Sequence, residues 1–371
     1  MAPHRGVVRL RRAVVASLGP ERPGALELQI DADGERRSAL AYPELVGPVE
    51  VGSDVLVNTT ASTLGLGTGG FDLVVAVVDG EAVEGSEPSG RVMKARYTPL
   101  QVAVASIEET DRDAIEGSRG LEGVPVVCAP LHSMVAPIAA GARAAGAERI
   151  VYVMTDGAAL AGGLSRLVPR LRAGGLLDGW ISAGQAFGGE REAVTVWTGL
   201  LGAKEVLGAD VVVVADGPGN VGTETTWGVS ALGSGCALDA VEALGGRPVA
   251  ALRISFADRR ERHRVVSHHS LTILGHVTHA RTNVAVPVLQ DEAQRSAVWD
   301  ALRAEELEDR HQLVEVDGRP AISMLAERGV EVTSMGRSPE DDPAFFFAAG
   351  AAGVLSGRMA AGSKRWREGT G

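Results

Sequence analysis

The N-terminal part of the chain, up to about residue 110, shows apolar and polar residues in alternation. The segment LELQI (residues 26–30) is one example, and clusters of glycine, proline and acidic residues separate it from similar segments. Alternation with a period of two is typical of antiparallel strands that bury one face. We therefore predict a small all-β domain over residues 1–110, either a barrel or a sandwich. The charged, glycine-containing stretch 111–123 is expected to be a linker.

Residues 124–362 follow a different pattern, in which longer apolar runs alternate with stretches of helical periodicity. Runs such as VPVVCAP, ERIVYVM and ADVVVVADGPG are apolar on both faces of a strand. Such strands, alternating with helices, are typical of a mostly parallel sheet with helices on both sides. We predict a doubly wound, Rossmann-like α/β domain of about seven β–α units, since a closed barrel needs eight. Residues 363–371 are expected to form a polar tail.

The carboxyl ends of the strands are where such sheets bind ligands, so polar residues there are the first candidates for a site. His132 follows the first of these strands, Asp156 the second, Asp216 the fourth and Asp258 the fifth. We treat all four as catalytic candidates. A single aspartate at a strand end more often caps the following helix. The catalytic interpretation therefore depends on the three aspartates acting together.

The segment 209–245 is the clearest local signal, a strand followed by a glycine-rich loop and a helix. The loop GPGNVG has the G-x-G-x-x-G spelling of dinucleotide sites, in which amides at a helix start face a pyrophosphate. However, it follows the fourth strand, and Pro218 lacks an N–H. The next strand-end acid, Asp258, is 36 residues past Gly222 (258 − 222) rather than about 20. A simpler anion is therefore the expected ligand, and a tight structural turn is the alternative. The ligand-binding candidates in the loop are Gly217, Gly219, Asn220, Gly222, Thr223 and Thr225.

A stretch rich in histidine and arginine, residues 258–281, holds five of the eight histidines of the chain. Ser267 is a good N-cap for a helix from His268 to about His279, which places His268 and His269 in the first turn. There the helix dipole lowers the pKa of an imidazole and favours its neutral form, which can act as a base. His268 and His269 complete the catalytic candidates, and buried histidines in a basic loop are the alternative. The arginines that could assist anion binding are Arg259, Arg262 and Arg264.

No residue is assigned as a metal ligand, and the sequence does not identify a cofactor. No cysteine lies near these histidines, and the zinc motif H-E-x-x-H is absent. His268 and His276 would lie two turns apart on a straight helix, about 12 Å, which is too far to share one ion.

Composition limits the partners and the compartment. The formal net charge of −11 argues against broad binding of nucleic acids or anionic membranes. The apolar run Ala13–Leu18 is shorter than the core of a signal peptide, and no stretch approaches the roughly 20 apolar residues of a spanning helix. A cytoplasmic protein is expected. The phenylalanine-rich segment near the C-terminus is expected to pack in the core or at a subunit interface, so a homo-oligomer is an option.

Five segments together resemble the bacterial family catalogued as domain of unknown function 3866, over nearly the whole chain. They are NTTASTLGLGTGGFD, RVMKARYTPLQ, GQAFGGEREAV, DGPGNVGTETTWG and SHHSLTILGH. The resemblance implies that both regions belong to one functional unit. It supplies no activity, substrate or catalytic residue.

Three hypotheses about function remain open at this point. The first is an enzyme that acts on a small anionic or phosphorylated metabolite bound at the strand ends. The second is a non-catalytic module for ligand sensing or oligomeric assembly. The third is a metal-dependent hydrolase that uses the histidine-rich segment.

Overall fold

The computed structural model describes residues 8–66, 69–78 and 90–368, with side chains as far as residue 362. The chain forms two compact units, Met1–Val104 and Ala105–Gly371. The segment 111–123, expected to be a linker, lies within the second unit, where it contains a short helix and the fully buried Leu121. The backbone of the expected polar tail is helical as far as Glu368.

The first unit is a small β-barrel. Its described elements are β1 Leu10–Arg22, β2 Ala25–Ala32, β3 Glu35–Ala41, α1 Pro43–Val46, β4 Asp54–Asn58, α2 Thr60–Thr63, β5 Asp72–Val77, β6 Val92–Lys94 and β7 Val102–Val104. Five strands close the barrel in the order β1–β2–β3–β5–β4, and β6 pairs with β7 separately. The predicted all-β domain is confirmed, and it is a barrel rather than a sandwich.

The barrel closes through a parallel pair of strands, β3 and β5, whereas its other neighbours are antiparallel. Asp72 begins β5 and is 1% exposed. Arg37 of β3 donates to both of its carboxylate oxygens, at 2.6 Å from Nε and 3.1 Å from Nη2. A two-pronged contact of this kind fixes geometry as well as charge, so it holds the two strands in register.

The second unit is an α/β domain. Its strands are β8 Pro125–Cys128, β9 Ile150–Thr155, β10 Gly179–Ala183, β11 Arg191–Ala193, β12 Val211–Asp216, β13 Arg247–Ala251, β14 Ile254–Ser255, β15 Val265–Val266, β16 Asn283–Pro287 and β17 Gln312–Val316. Its α-helices are α3 Ile107–Thr110, α4 Arg112–Glu116, α5 Val135–Ala144, α6 Leu167–Ala173, α7 Val196–Glu205, α8 Gly233–Ala243, α9 His268–Thr272, α10 Glu292–Ala304, α11 Leu307–Arg310, α12 Arg319–Glu327 and α13 Pro343–Glu368.

Eight of these strands form one sheet, in the order β11–β10–β9–β12–β8–β13–β16–β17. Every neighbouring pair in it is parallel. Tyr152 and Met154 of β9 pack with α5, α6, α12 and α13, whereas Val151 and Val153 of the same strand pack with α7, α8 and α10. Helices therefore cover both faces, which confirms the predicted doubly wound sheet, with eight strands where about seven units were expected.

Helix α13 corrects one expectation from the sequence. Its residues Pro343–Gly362 have a mean hydropathy of 1.4 and are long and apolar enough to cross a membrane. In the structure, 78% of an 18-residue window of this stretch is buried inside the protein. Small residues allow the burial, because a Cβ atom at Gly353 would lie 2.0 Å from the Ile138 carbonyl oxygen of α5.

The central strands define where a ligand could bind. The chain leaves β8 towards α5 on one face of the sheet and leaves β12 towards α8 on the other. Connections that diverge in this way leave a crevice at the carboxyl ends of the strands, which is where open α/β sheets bind their ligands.

Candidate metal centre

The glycine-rich loop after β12 folds back on itself before α8. Gly222 pairs with Val229, and residues 221–229 form a hairpin. Helix α8 begins at Gly233, eleven residues after Gly222 (233 − 222). The predicted order of strand, loop and helix is confirmed. The expectation that the glycines open the helix is wrong, because the hairpin lies between the glycine motif and the helix start.

The polar groups of this loop are mostly engaged with one another. The Thr223 and Thr225 hydroxyls lie 2.8 Å apart, and the Thr223 amide donates to the Gly228 carbonyl at 2.7 Å. The Asn220 side-chain amide donates to the Pro130 carbonyl at 2.8 Å, which ties the loop to the end of β8. Two further glycines that were predicted to contact a ligand are exposed, namely Gly219 and Gly222.

Asp216 and Asp156 lie at the carboxyl ends of the neighbouring strands β12 and β9. Asp216 is buried and accepts a hydrogen bond from the Thr155 hydroxyl at 2.6 Å. Burial raises the pKa of the Asp216 carboxyl group. Asp156 accepts the Gln185 backbone amide at 2.7 Å. Gly217 follows at a point where a Cβ atom would lie 2.6 Å from a backbone carbonyl oxygen. The carboxylates thus hold the loops of this edge together.

His132 is buried at the start of the segment that leads into α5. Its Nδ1 lies 3.1 Å from the Tyr152 hydroxyl, and its Nε2 lies 2.8 Å from the Ser165 hydroxyl. The Tyr152 hydroxyl donates to the Asp216 carbonyl at 2.9 Å, so it accepts its hydrogen bond from Nδ1–H. Burial lowers the pKa of His132 to about 4. A neutral imidazole with both nitrogens engaged is therefore built into the core.

The histidine cluster, which consists of His263, His268 and His269, lies beyond β13. The chain turns back through the short pair β14–β15, and His263 lies in a 3₁₀ turn, Glu261–His263, between these two strands. The ring centroids of His268 and His269 are 4.1 Å apart, and that of His263 is 5.2 Å and 4.9 Å from them. One ring nitrogen from each of the three lies within 4.8 Å of the other two.

Unsatisfied polar atoms point to a ligand in this cluster. The Nε2 atoms of His268 and His269 are buried and have no hydrogen-bond partner among the described residues. The Nε atom of Arg262 is in the same state. His263 uses Nδ1 to contact the Ser267 hydroxyl at 2.8 Å, which leaves its Nε2 as the available nitrogen. Buried polar groups in native proteins are nearly always paired, so three such atoms in one place indicate a missing partner.

The cluster is uncharged at neutral pH. Burial, with help from nearby arginines, lowers the pKa of His263 to about 3. Burial and the neighbouring His268 lower the pKa of His269 to about 4. Burial lowers the pKa of His268 too. Neutral imidazole is the form that coordinates a metal ion, so no proton has to leave before binding.

Asp258 lies beside the cluster in a network of charged residues, of which Asp258, Arg253 and Asp342 are buried. It is 4% exposed, and it pairs with Arg253 at 3.2 Å, Arg260 at 2.8 Å and Arg337 at 3.6 Å. Arg337 continues to the buried Asp342 at 3.1 Å. Hydrogen bonds from Arg260 hold the pKa of the Asp258 carboxyl well below its usual range. Three arginines against two aspartates leave the network net positive, so the surroundings of the cluster favour an anion.

The predicted site residues thus fall into two groups. Asp156, Asp216 and His132 belong to the ends of β8, β9 and β12, whereas Asp258, His268 and His269 follow β13. Over the ranges that the structure describes, no hydrogen bond or ion pair joins Asp156 or Asp216 to the histidine cluster. Of the three predicted arginines, Arg262 lies near enough to the cluster for its charge to lower the pKa of His268. The other two, Arg259 and Arg264, are exposed.

Sequence reasoning found Ser267 as an N-cap, and its hydroxyl accepts the His269 amide in the structure. It missed His263, which lies five residues before His268 (268 − 263) and is not part of an H-E-x-x-H motif. The expected helix from His268 to about His279 is α-helical only as far as Thr272, and a π-helix, Ile273–Val277, continues it. His276 and His279 are exposed and outside the cluster. The presence of three histidines within the seven residues 263–269 was the signal that could have identified His263 as part of the cluster.

Comparison with known proteins places the chain in a family without assigning it an activity. No curated protein matches the chain. The model of the family described as "Protein of unknown function (DUF3866)" matches residues 38–353 of 371. The match begins within β3, which leaves β1 and β2 of the barrel outside it, and spans nearly all of the α/β unit. The chain therefore belongs to the DUF3866 family.

Proposed function

We propose that this protein is a metal-dependent hydrolase of a small anionic substrate, with His263, His268 and His269 holding one divalent ion such as Zn²⁺. The observation that carries the proposal is the convergence of one ring nitrogen from each histidine within 4.8 Å, in a cluster where the Nε2 atoms of His268 and His269 are buried and have no hydrogen-bond partner among the described residues. Three protein ligands with an open fourth position are the pattern of catalytic zinc sites, and three histidines form one of the known sets.

The geometry is close to what a zinc ion needs. At a Zn–N distance of about 2.0–2.1 Å, tetrahedral ligand nitrogens lie about 3.3 Å apart. The present separations of up to 4.8 Å require each nitrogen to move by roughly 1 Å or less. Rotation of the imidazole rings about their side-chain bonds supplies movements of this size without a change of the backbone.

A second contact supports the ligand set. Metal-bound histidines usually donate their other N–H to a neighbouring acceptor, which fixes the tautomer and the ring orientation. The Ser267 hydroxyl, 2.8 Å from His263 Nδ1, is placed to accept that hydrogen bond. The same hydroxyl caps α9, so the capped helix and the oriented imidazole depend on one side chain.

The surroundings favour hydrolysis of an anion. A bound divalent ion would supply a water molecule of lowered pKa at the open position. Asp258 does not add a negative charge to the ligand set, because its oxygens are occupied by arginines. Three neutral imidazoles leave the full positive charge of the ion, and the net-positive network beside it adds to the attraction for an anionic substrate.

Metal content and turnover together test the proposal. Purified protein is stripped with a chelator and reloaded with Zn²⁺ or Co²⁺, and we expect one ion per chain. The Co²⁺ form should show the visible absorption typical of a site with a low coordination number. His263→Ala, His268→Ala and His269→Ala should each lose the ion, whereas the exposed control His279→Ala should keep it. Hydrolysis of p-nitrophenyl phosphate or p-nitrophenyl acetate should follow the metal content.

Two outcomes would separate the proposal from its alternatives. Equal metal content in the wild-type protein and the three cluster variants would show that the ion is not held there. One bound ion without turnover of any ester would favour the second candidate function, a non-catalytic ligand sensor at the same cluster. The orphaned Arg262 Nε, a donor suited to an anion, is the observation that keeps this second candidate in view.

A further inference from the structure

The 221–229 hairpin reaches from the end of β12 to the segment that carries the histidine cluster. At its tip, the Glu224 carboxylate lies 3.3 Å from Arg262 Nη1. On its other side, the Trp227 ring packs against His276, with ring centroids 6.0 Å apart. Both partners of the hairpin flank the cluster in sequence, so the hairpin touches the segment on either side of the candidate metal site.

Arg262 stands between the hairpin and the cluster. Its side chain is 32% exposed, and its Nε is buried without a partner in the described part of the chain. Its charge is one of the causes that lower the pKa of His268. A guanidinium group has five N–H donors in a planar fork, and Glu224 accepts from Nη1 of this one. The buried Nε–H, which has no partner in the described part of the chain, is available to a group bound at the cluster.

The contact with Glu224 is of a kind that a ligand can displace. The Glu224 side chain is 87% exposed, and exposed ion pairs contribute little to stability because water and salt screen them. A phosphate or carboxylate group that reached Arg262 at the cluster would accept two parallel hydrogen bonds in a drier place. Contacts of that geometry are about twice as strong as neutral ones.

We infer that Arg262 is the residue that recognises an oxyanion group, phosphate or carboxylate, on the substrate, and that Glu224 is its internal competitor. The inference rests on the proposed function for the position of the reaction but not for the anion contact itself. In the free protein the Glu224 carboxylate pairs with Nη1 of the guanidinium group. An anion bound at Nε competes with Glu224 for the charge of the guanidinium group.

Binding of inorganic phosphate and of acetate, measured by isothermal titration with and without Zn²⁺, tests the inference. Arg262→Gln should weaken the binding of the recognised anion by at least about tenfold, because a charged hydrogen bond is lost. Arg262→Lys keeps the charge but not the planar fork, so its affinity for the anion should lie between those of the wild type and Arg262→Gln. Glu224→Gln should tighten binding by about 1.5- to 5-fold, the range that the loss of an exposed ion pair allows.

Matched controls separate recognition from general attraction. Arg259→Gln and Arg264→Gln make the same change of charge as Arg262→Gln, and Glu261→Gln makes the same change as Glu224→Gln. All three control positions are exposed. We expect these three to bind both anions as the wild type does. An equal loss of affinity in Arg259→Gln and Arg262→Gln would overturn the inference, and so would unchanged affinity in Glu224→Gln.

Metal content distinguishes a failure here from a failure of the proposed function. Each variant is assayed for bound Zn²⁺, and Arg262→Gln should retain the ion. If the wild-type protein binds no metal but the anion affinities still follow Arg262 and Glu224, the hydrolase proposal falls and the recognition stands. If the metal binds and the anion affinities are unchanged in the Arg262 and Glu224 variants, the role of Arg262 in anion recognition is refuted and the metal site is supported.

Discussion

Replacement of the buried His132 should change how the stability of the α/β unit depends on pH. Its pKa is lowered from an ordinary 6.5 to about 4 by burial. Between these two values the unfolded chain takes up a proton that the folded chain does not, so this residue stabilises the fold fully above pH 6.5 and loses that contribution as the pH falls. Linkage gives a loss of about 2 kcal/mol between pH 7.5 and pH 5, approaching about 3 kcal/mol below pH 4.

The hydrogen bonds explain why the folded protein resists that proton. Protonation would place an N–H on Nε2, opposite the Ser165 hydroxyl. That hydroxyl already accepts the amides of Leu167 and Val168, at 3.2 and 3.1 Å. With a third donor its own O–H would lose its partner, and the new charge would be buried. The cost therefore falls on the charged form of His132 alone.

Urea unfolding of the wild type and of His132→Gln, at several pH values between 7.5 and 5, measures this effect. All five tryptophans lie beyond Val104, so tryptophan fluorescence reports on the α/β unit and not on the barrel. The variant should be less stable at pH 7.5, because a packed imidazole is lost. The gap in free energy of unfolding should then narrow by about 2 kcal/mol towards pH 5. A gap that stays constant with pH would refute the reasoning.

Three further predictions use the same fluorescence assay. Gly353→Ala should destabilise the α/β unit by about 1–3 kcal/mol, because the new Cβ atom would lie 2.0 Å from the Ile138 carbonyl oxygen. Gly362→Ala on the same helix meets nothing within 4 Å and should be neutral or slightly stabilising. Equal effects of the two substitutions on stability would contradict the packing argument. Asp258→Asn should cost about 3–5 kcal/mol because it leaves the buried Arg253 without its carboxylate partner, whereas the exposed control Asp300→Asn should cost less than about 1 kcal/mol. A small effect at both positions would count against the network. Zn²⁺ at about 100 times its dissociation constant should add about 2.7 kcal/mol of stability that a chelator removes, and a transition indifferent to both would speak against the metal site.

The sequence predicted the fold well where burial alone decides structure. The strands β9 and β12 are apolar on both faces, and only the middle of a helix-covered sheet buries both faces of a strand. The alternation in the first hundred residues predicted an all-β unit, but it could not choose between barrel and sandwich. That choice depends on the pairing of β3 with β5, which joins residues distant in the chain through Arg37 and Asp72.

The glycine loop shows how a local motif can mislead. Its spelling predicts a turn that opens directly into a helix, and the backbone instead makes a hairpin first. The residues after Gly222 are TETTW, and β-branched and aromatic residues favour extended pairing over a helix start. The same threonines that were expected to contact an anion are used to close that hairpin, through the contact between Thr223 and Thr225. The six-residue motif GPGNVG therefore did not outweigh the β-propensity of the five residues that follow it.

The histidine cluster shows which part of a site no local pattern can supply. His268 and His269 were identifiable because Ser267 caps their helix, a relation between neighbours in sequence. His263 joins them because β14 and β15 pair antiparallel and return the chain on itself, so that a residue five positions earlier faces the first turn of α9. One side chain takes part in both relations, because the Ser267 hydroxyl that caps the helix also contacts Nδ1 of His263. Ser267→Ala should therefore weaken both the helix cap and the affinity for metal, whereas a purely structural cap would change only the first.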